Sequence, residues 1–322
     1  MVFALIDLKK RNQEIDLIKG FGVLCVLFGH SYGLNESLNV WIYSFHMPLF
    51  FFVSGQLFTK KKSLYDEFKK LVNKLIFPYF IFFFISYFYW IVVNNIKGRD
   101  EILWYEPLFG VFSGLSIYFH VNVVLWFFIA FFISQLTYCY LRSKFSIFTT
   151  FFFCIFISFS AYKYYVYYGI QLPFSFLQAM VAILFISIGE IYSNYKSKLS
   201  FLNHSFVCTL GLVLSIYLSL YNGRVDLNGL KLGNWSVYIL CALVLLISLQ
   251  GLFSKLIGSY FITKQAMYLS KNSLYIFPTH TIIFGILVGV NQLLLDFDPD
   301  SFFLYGLTLP FISFCLYKMV LK

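Results

Sequence analysis

Charge is what this sequence has least of: charged residues make up 12% of its 322 positions, against roughly 25% in soluble domains. Acids are the scarcer sign, with 14 Asp and Glu against 24 Lys and Arg. Such a chain cannot surround itself with a hydrated shell. With 60% hydrophobic residues and a mean hydropathy of +0.78, it reads as an integral membrane protein. Nucleotide and metal signatures are missing as well. No G-x-x-x-x-G-K-[ST] loop, G-x-G-x-x-G fingerprint or H-E-x-x-H helix occurs, so ATP hydrolysis, dinucleotide binding and zinc hydrolysis lose their usual support. The six cysteines form no C-x-x-C and have no histidine at ligand spacing; they read as small buried hydrophobes, and no metal is expected. Neither a signal peptide nor an internal repeat of the transporter kind is visible.

What is there is a series of solid apolar runs, which lack the alternation of a β-barrel. Ten candidate spans fall near 15–34, 38–58, 71–94, 121–141, 145–162, 171–192, 200–221, 235–253, 268–290 and 301–320. Most reach the length of about 20 residues that a helix needs to cross the hydrocarbon core. The expectation is an all-α integral membrane protein: a single bundle of about ten transmembrane helices forming one domain over 1–322. A cytoplasmic N-terminal segment, 1–14, precedes spans running from about 15 to 320, and no further domain is expected after the tenth span. With the N-terminus inside, 18 of the 24 basic residues flank the inner ends, among them Lys9, Lys10, Arg11, Lys60, Lys61, Lys62, Lys69, Lys70 and Lys74. The positive-inside rule then places both termini in the cytoplasm. The net charge of +10 is on this reading a topological signal and not a sign of nucleic acid, although the basic stretch 60–74 also suits anionic lipid or a phosphorylated ligand.

The first two spans, from Glu14 to Phe58, carry ionisable residues that an anchor would avoid, because they are expensive in lipid. On a helix Lys19 and His30 fall about 20° apart and about 16 Å apart along the axis, and Asp16 lies close enough to Lys19 to pair with it. Gly22 and Gly29 thin the face between them. The second span holds Ser44, His46, Pro48 and Ser54-Gly55, and Pro48 is expected to kink it or free a carbonyl.

Further on, Lys74 stands beside Pro78-Tyr79 near the inner face. The outer segment 95–120 mixes Trp104 and Tyr105 with charged residues, which suits an interfacial belt or a sugar ring. His120 and Asn122 open the fourth span, whose run continues through Trp126. Glu190 reads as a snorkelling carboxylate. The Gly- and Asn-rich outer loop 222–234 is a candidate pocket rim. In the ninth span Ser273 and His280 share a face, and Pro278 is expected to loosen the helix before His280. His30, His46 and His280 thus lie at middle to outer depth on three spans, an arrangement suited to proton transfer.

These runs, E-I-D-L-I-K-G…G-H-S, S-F-H-M-P-L-F-F-F-V-S-G, K-L-I-F-P-Y-F, L-W-F-F and K-N-S-L-Y-I-F-P-T-H, resemble in order and spacing the acyltransferase-3 family of membrane O-acyltransferases. The similarity is greatest to the branch that O-acetylates bacterial surface polysaccharide or fucose. The resemblance implies a ten-helix domain in the bacterial cytoplasmic (inner) membrane that moves an acetyl or similar acyl group from acyl-CoA to a sugar hydroxyl. Its partners would be acyl-CoA, a carbohydrate acceptor (lipid-linked forms included) and membrane lipid, with acetyl-CoA as donor substrate and no tightly bound cofactor. By position His30 carries over as the essential histidine, with Asp16 and Lys19 as its upstream partners. The family often has Arg where this chain has Lys19, which keeps the charge and loses the bidentate fork.

Chemistry gives a compatible account. Acyl transfer from a thioester to an alcohol needs a base for the hydroxyl proton and a donor for the developing oxyanion. His30 is the candidate base; Lys19 binds a CoA phosphate or orients Asp16. Lys74, His46, Ser54, Asn122, Trp126, Ser273 and His280 are candidates for the donor or supporting polar site. A covalent acyl carrier is the rival mechanism. Two other function classes stay open: a flippase or transporter for a sugar or lipid-linked glycan, which moves substrate without consuming CoA, and a structural partner in an export complex, which tolerates loss of His30.

Overall fold

The computed structural model describes residues 12–31, 34–60, 63–97, 103–115, 118–120, 122–257 and 260–290. Both termini, the expected tenth span, Cys315 and the basic residues Lys9, Lys10, Arg11, Lys61 and Lys62 lie outside these. The described chain is helical, and its one extended pairing is an isolated bridge between Asp226 and Lys231. The helices are α1 (Gln13–Gly29), α2 (Glu36–Tyr43), α3 (His46–Gln56), α4 (Leu64–Leu71), α5 (Phe77–Lys97), α6 (Glu106–Ser113), α7 (Trp126–Lys144), α8 (Ile147–Tyr168), α9 (Phe176–Tyr195), α10 (Ser205–Asn222), α11 (Trp235–Leu256) and α12 (Tyr260–Val290). A π-helical turn, Val72–Ile76, joins α4 to α5 without a break.

Six stretches among the described residues are long and apolar enough to cross a membrane: Leu64–Asn95, Val123–Lys144, Ile147–Tyr168, Pro173–Tyr195, Ser205–Asn222 and Trp235–Leu256. Backbone polar groups in lipid must be satisfied within their own segment, and these helices do so. The protein is an all-helical, multi-pass membrane protein.

Local chemistry sets the helix ends. Asn12, Asn35, Ser63 and Ser146 each accept a bond from a backbone N–H of the first turn of α1, α2, α4 and α8, satisfying donors that have no partner inside the helix. Gly114 and Gly169 end α6 and α8 at φ 63° and 67°, a left-handed turn that favours glycine.

Two spans differ from the sequence expectation. The second is two helices: the chain breaks at Ser44–Phe45, where the Ser44 N–H still reaches the Val40 and Trp41 carbonyls at 3.2 Å. Pro48 therefore does not kink a running helix but sits in the first turn of α3, where a missing N–H costs no intrahelical bond. The break falls at the carbonyl four residues upstream that proline leaves without its usual donor. The first span ends at Gly29, so His30 caps α1 (φ −98°, ψ 0°) instead of lying within it. Pro278, by contrast, lies inside a continuous α12.

Contacts divide the chain into two compact units, one comprising Met1–Val53, Tyr195–Val225 and Ser236–Lys322, the other Ser54–Asn194 and Asp226–Trp235. In the first, α1 lies along α12. A Cβ at Gly20 would be 2.8 Å from Ala266 Cα, so only glycine allows this approach. Ring edges add to the seams, Phe21 against Phe253 at 5.4 Å and Phe50 against Phe277 at 4.8 Å.

In the second unit α9 is the core helix, with Val181, Ala182, Ile183, Phe185 and Ile186 wholly buried. Gly55 abuts it, since a Cβ there would collide with the Ile186 carbonyl. Helix α8 instead turns Phe152 and Phe156 outward, one turn apart on a face suited to lipid. The segment 226–235 is anchored to this unit. Gln178 Nε2 donates to the Asn228 carbonyl at 2.8 Å, the Tyr162 hydroxyl to the Gly233 carbonyl at 2.8 Å, and Trp235 Nε1 to Ser158 Oγ at 3.1 Å.

Candidate functional site

In the first unit the polar residues gather in two groups. The first lies near the start of α1. Asp16 is 2% exposed, and its Oδ1 accepts a bond of 2.6 Å from the Ser270 hydroxyl. The Ser270 carbonyl accepts from Lys19 Nζ at 3.2 Å and from the Ser273 hydroxyl at 3.1 Å. One serine of α12 therefore holds Asp16, Lys19 and Ser273 together. Sequence reading missed Ser270; its signal was a hydroxyl three residues before Ser273, on the adjoining turn of the same helix. Nearby on α1, Glu14 pairs with Lys196.

The second group lies beyond the C-terminal end of α1. His30, half-buried, faces His280 with ring centroids 5.1 Å apart. The ring of Tyr43 meets His30 edge-on at 6.1 Å and His46 at 4.9 Å. Gly29 permits this convergence, because a Cβ there would lie 3.2 Å from both Ile42 Cγ2 and Tyr43 Cε2. His46 and His280 are buried, and their Nδ1 atoms lie 2.9 Å and 3.3 Å from the carbonyls of Ile42 and Ile276. A carbonyl only accepts, so Nδ1 carries the proton in each and Nε2 is left with its lone pair. For His280 that Nε2 is buried without a hydrogen-bond partner among the described residues. Such a group is costly to bury unused.

The remaining candidates belong to the second unit, where Ser54, Asn122 and Trp126 each meet a different neighbour. The Ser54 hydroxyl accepts from Gln135 Nε2. Asn122 is buried and its Nδ2 donates to Ser86 Oγ at 2.9 Å. Trp126, buried at the start of α7, packs edge-on against Phe127. Lys74 is exposed on the π turn, a local widening that often marks functional sites.

Glu190 departs from expectation. It does not snorkel: it is 6% exposed, and Arg142 binds it through two N–H groups, Nε at 2.8 Å and the terminal nitrogen at 3.0 Å. The Tyr138 hydroxyl also donates to it. Sequence alone could not pair residues 48 positions apart. At the other end of the unit His120 Nε2 lies 3.5 Å from Glu106 Oε2.

No curated protein and no solved structure gives a significant match to the chain. A family model described as an acyltransferase domain matches residues 12–318, which spans both polar groups of the first unit and almost the whole sequence. The chain belongs to this family, the acyltransferase-3 family, and is a membrane acyltransferase.

Proposed function

We propose that the protein moves an acetyl or similar acyl group from acyl-CoA to a hydroxyl of a bacterial surface carbohydrate such as O-antigen, capsule or exopolysaccharide. The observation that carries this reading is His30, half-buried at the end of α1, set against the buried, lone-pair-bearing His280. His30 takes the proton of the acceptor hydroxyl as its oxygen attacks the thioester carbonyl. The C–S bond then breaks, and the proton passes from His30 to the departing CoA thiolate, leaving an ester and free CoA. His280 lies within reach to stabilise the protonated ring or to relay that proton. Asp16 and Lys19, held by Ser270, lie on the same helix about 21 Å and about 16 Å from His30. Lys19, and separately the exposed Lys74, are the cations offered to CoA phosphates.

In this reading the chain crosses the bacterial inner membrane about ten times as one domain, with both termini cytoplasmic. Acyl-CoA stays on the basic, cytoplasmic side and the acceptor enters from the other. Family membership favours acyl transfer over transport. Mass spectrometry of the host's surface glycans with and without the protein tests the proposal. The expected result is one added acyl mass per repeat unit; identical glycan masses would refute it.

A further inference from the structure

The ring of Tyr43 joins the histidine group to a cation that the acyl-transfer chemistry leaves unused. Arg224 is exposed, and its guanidinium carbon lies 4.5 Å from the Tyr43 centroid. No carboxylate among the described residues pairs with it. Among the described residues of its unit the acids lie elsewhere: Glu14 and Asp16 sit roughly 20 Å down α1 from His30, and Glu36 about 10 Å back along α2 from Tyr43; Asp226, two positions on in the chain, forms no ion pair with it. Exposure rises along the series from His280, 1% exposed, through half-buried His30 and Tyr43 to exposed Arg224. The series has the polarity of an entrance.

A guanidinium stacked on an aromatic face keeps its N–H groups in the plane of the fork, free for an incoming ligand. That fork matches a carboxylate or phosphate and gains nothing comparable from a neutral hydroxyl. Arg224 and His30 meet the same ring, Arg224 4.5 Å over the Tyr43 centroid and His30 edge-on with centroids 6.1 Å apart, so both lie within the reach of one bound sugar. A sugar whose reacting hydroxyl is at His30 therefore brings a substituent from its far side to Arg224. We propose that Arg224 binds an oxyanion carried by the acceptor, a uronate carboxylate or a phosphate, and so selects acidic carbohydrate over neutral. The inference rests on His30 as the group that receives the acceptor. Arg224 is a specificity residue in it and touches no reacting atom.

The test uses full-length protein in lipid vesicles, acetyl-CoA, and fragments of the host's surface glycan in three forms: native, carboxyl-reduced and dephosphorylated. Wild type should acylate native fragments about tenfold more efficiently than whichever form has lost the oxyanion, and that form identifies which oxyanion is read. Arg224→Gln should lose this advantage through KM and leave the rate on the neutral form unchanged, while Arg224→Lys keeps part of it. Three results overturn the assignment: equal efficiency on all forms, a glycan with no acidic group, or a glutamine variant that slows acidic and neutral forms alike. Failure to acylate any form refutes the acyl-transfer reading itself. Calorimetric titration of the same fragments decides the role of Arg224 independently. Tighter binding of acidic fragments by wild type alone supports it, and equal binding by wild type and Arg224→Gln overturns it.

Discussion

The Ser270 hydroxyl donates to Asp16 Oδ1 across 2.6 Å, tying the polar start of α1 to the middle of α12, while the carbonyl of the same serine receives Lys19. A carboxylate and an ammonium that sequence spacing would pair directly are therefore also joined through a residue 254 positions away from the first of them.

Removing its hydroxyl should be felt at Asp16, while the backbone carbonyl that receives Lys19 remains. Ser270→Ala deletes a hydrogen bond to a charged group, a loss of about 1.5–3 kcal/mol, and should lower the melting temperature in detergent together with the acylation rate. An unchanged melting curve and rate would show that the Ser270 hydroxyl does not hold Asp16 in place. Lys19→Arg should retain much of the activity and Lys19→Ala should lose most; equal activity in both would mean that the charge is not used.

His30→Ala should abolish acylation and leave membrane insertion intact, because it removes a titratable ring without placing new charge in lipid. Glycan mass spectra at matched protein level read the outcome. Wild-type acylation in this variant would remove His30 from the mechanism.

Glu190→Gln should leave the partly buried Arg142 charge without its counter-ion and weaken its charge-assisted hydrogen bonds, a loss of about 1.5–3 kcal/mol. Replacing the pair together, as Arg142→Met with Glu190→Leu, should restore much of that loss. Thermal melting of the two singles and the double measures the coupling, and simple additivity would show that the pair is not a unit.

Sidedness has a direct readout. In a Cys315→Ser background, where the five other cysteines are buried, Lys231→Cys should react with an impermeant thiol reagent applied outside whole cells. Lys60→Cys should react only after permeabilisation. Both positions are exposed, so reversed labelling would overturn the inside-positive orientation.

Sealed vesicles test the route across the membrane. Inside-out vesicles should consume acetyl-CoA added outside and acylate glycan held in the lumen, whereas right-side-out vesicles should ignore it. Equal use of external acetyl-CoA by both would place the donor site on the wrong face.

The class of the protein was legible in its sequence because hydrophobicity and length are local properties, and a run of about 20 apolar residues has few fates other than a buried or membrane helix. The family was legible for a related reason: E-I-D-L-I-K-G with G-H-S, and S-F-H-M-P, concentrate polar residues in apolar surroundings at fixed spacing. The break between α2 and α3 was half legible. Pro48 announced a disturbance, but its place at Ser44–Phe45 depends on which carbonyl gives up its bond.

Everything that involves a second helix was decided by tertiary structure. Ser270 is an ordinary serine until α12 lies against α1 at Gly20; Glu190 is a stray carboxylate until α7 brings Arg142 and Tyr138 to it. Arg224 is one residue of the outer loop 222–234 until its guanidinium settles on Tyr43 beside His30. The physical reason is the same in each case. Helix periodicity determines which residues share a face, but which faces meet is settled by packing, where the absence of a glycine side chain or the position of a single break moves polar groups into or out of bonding distance.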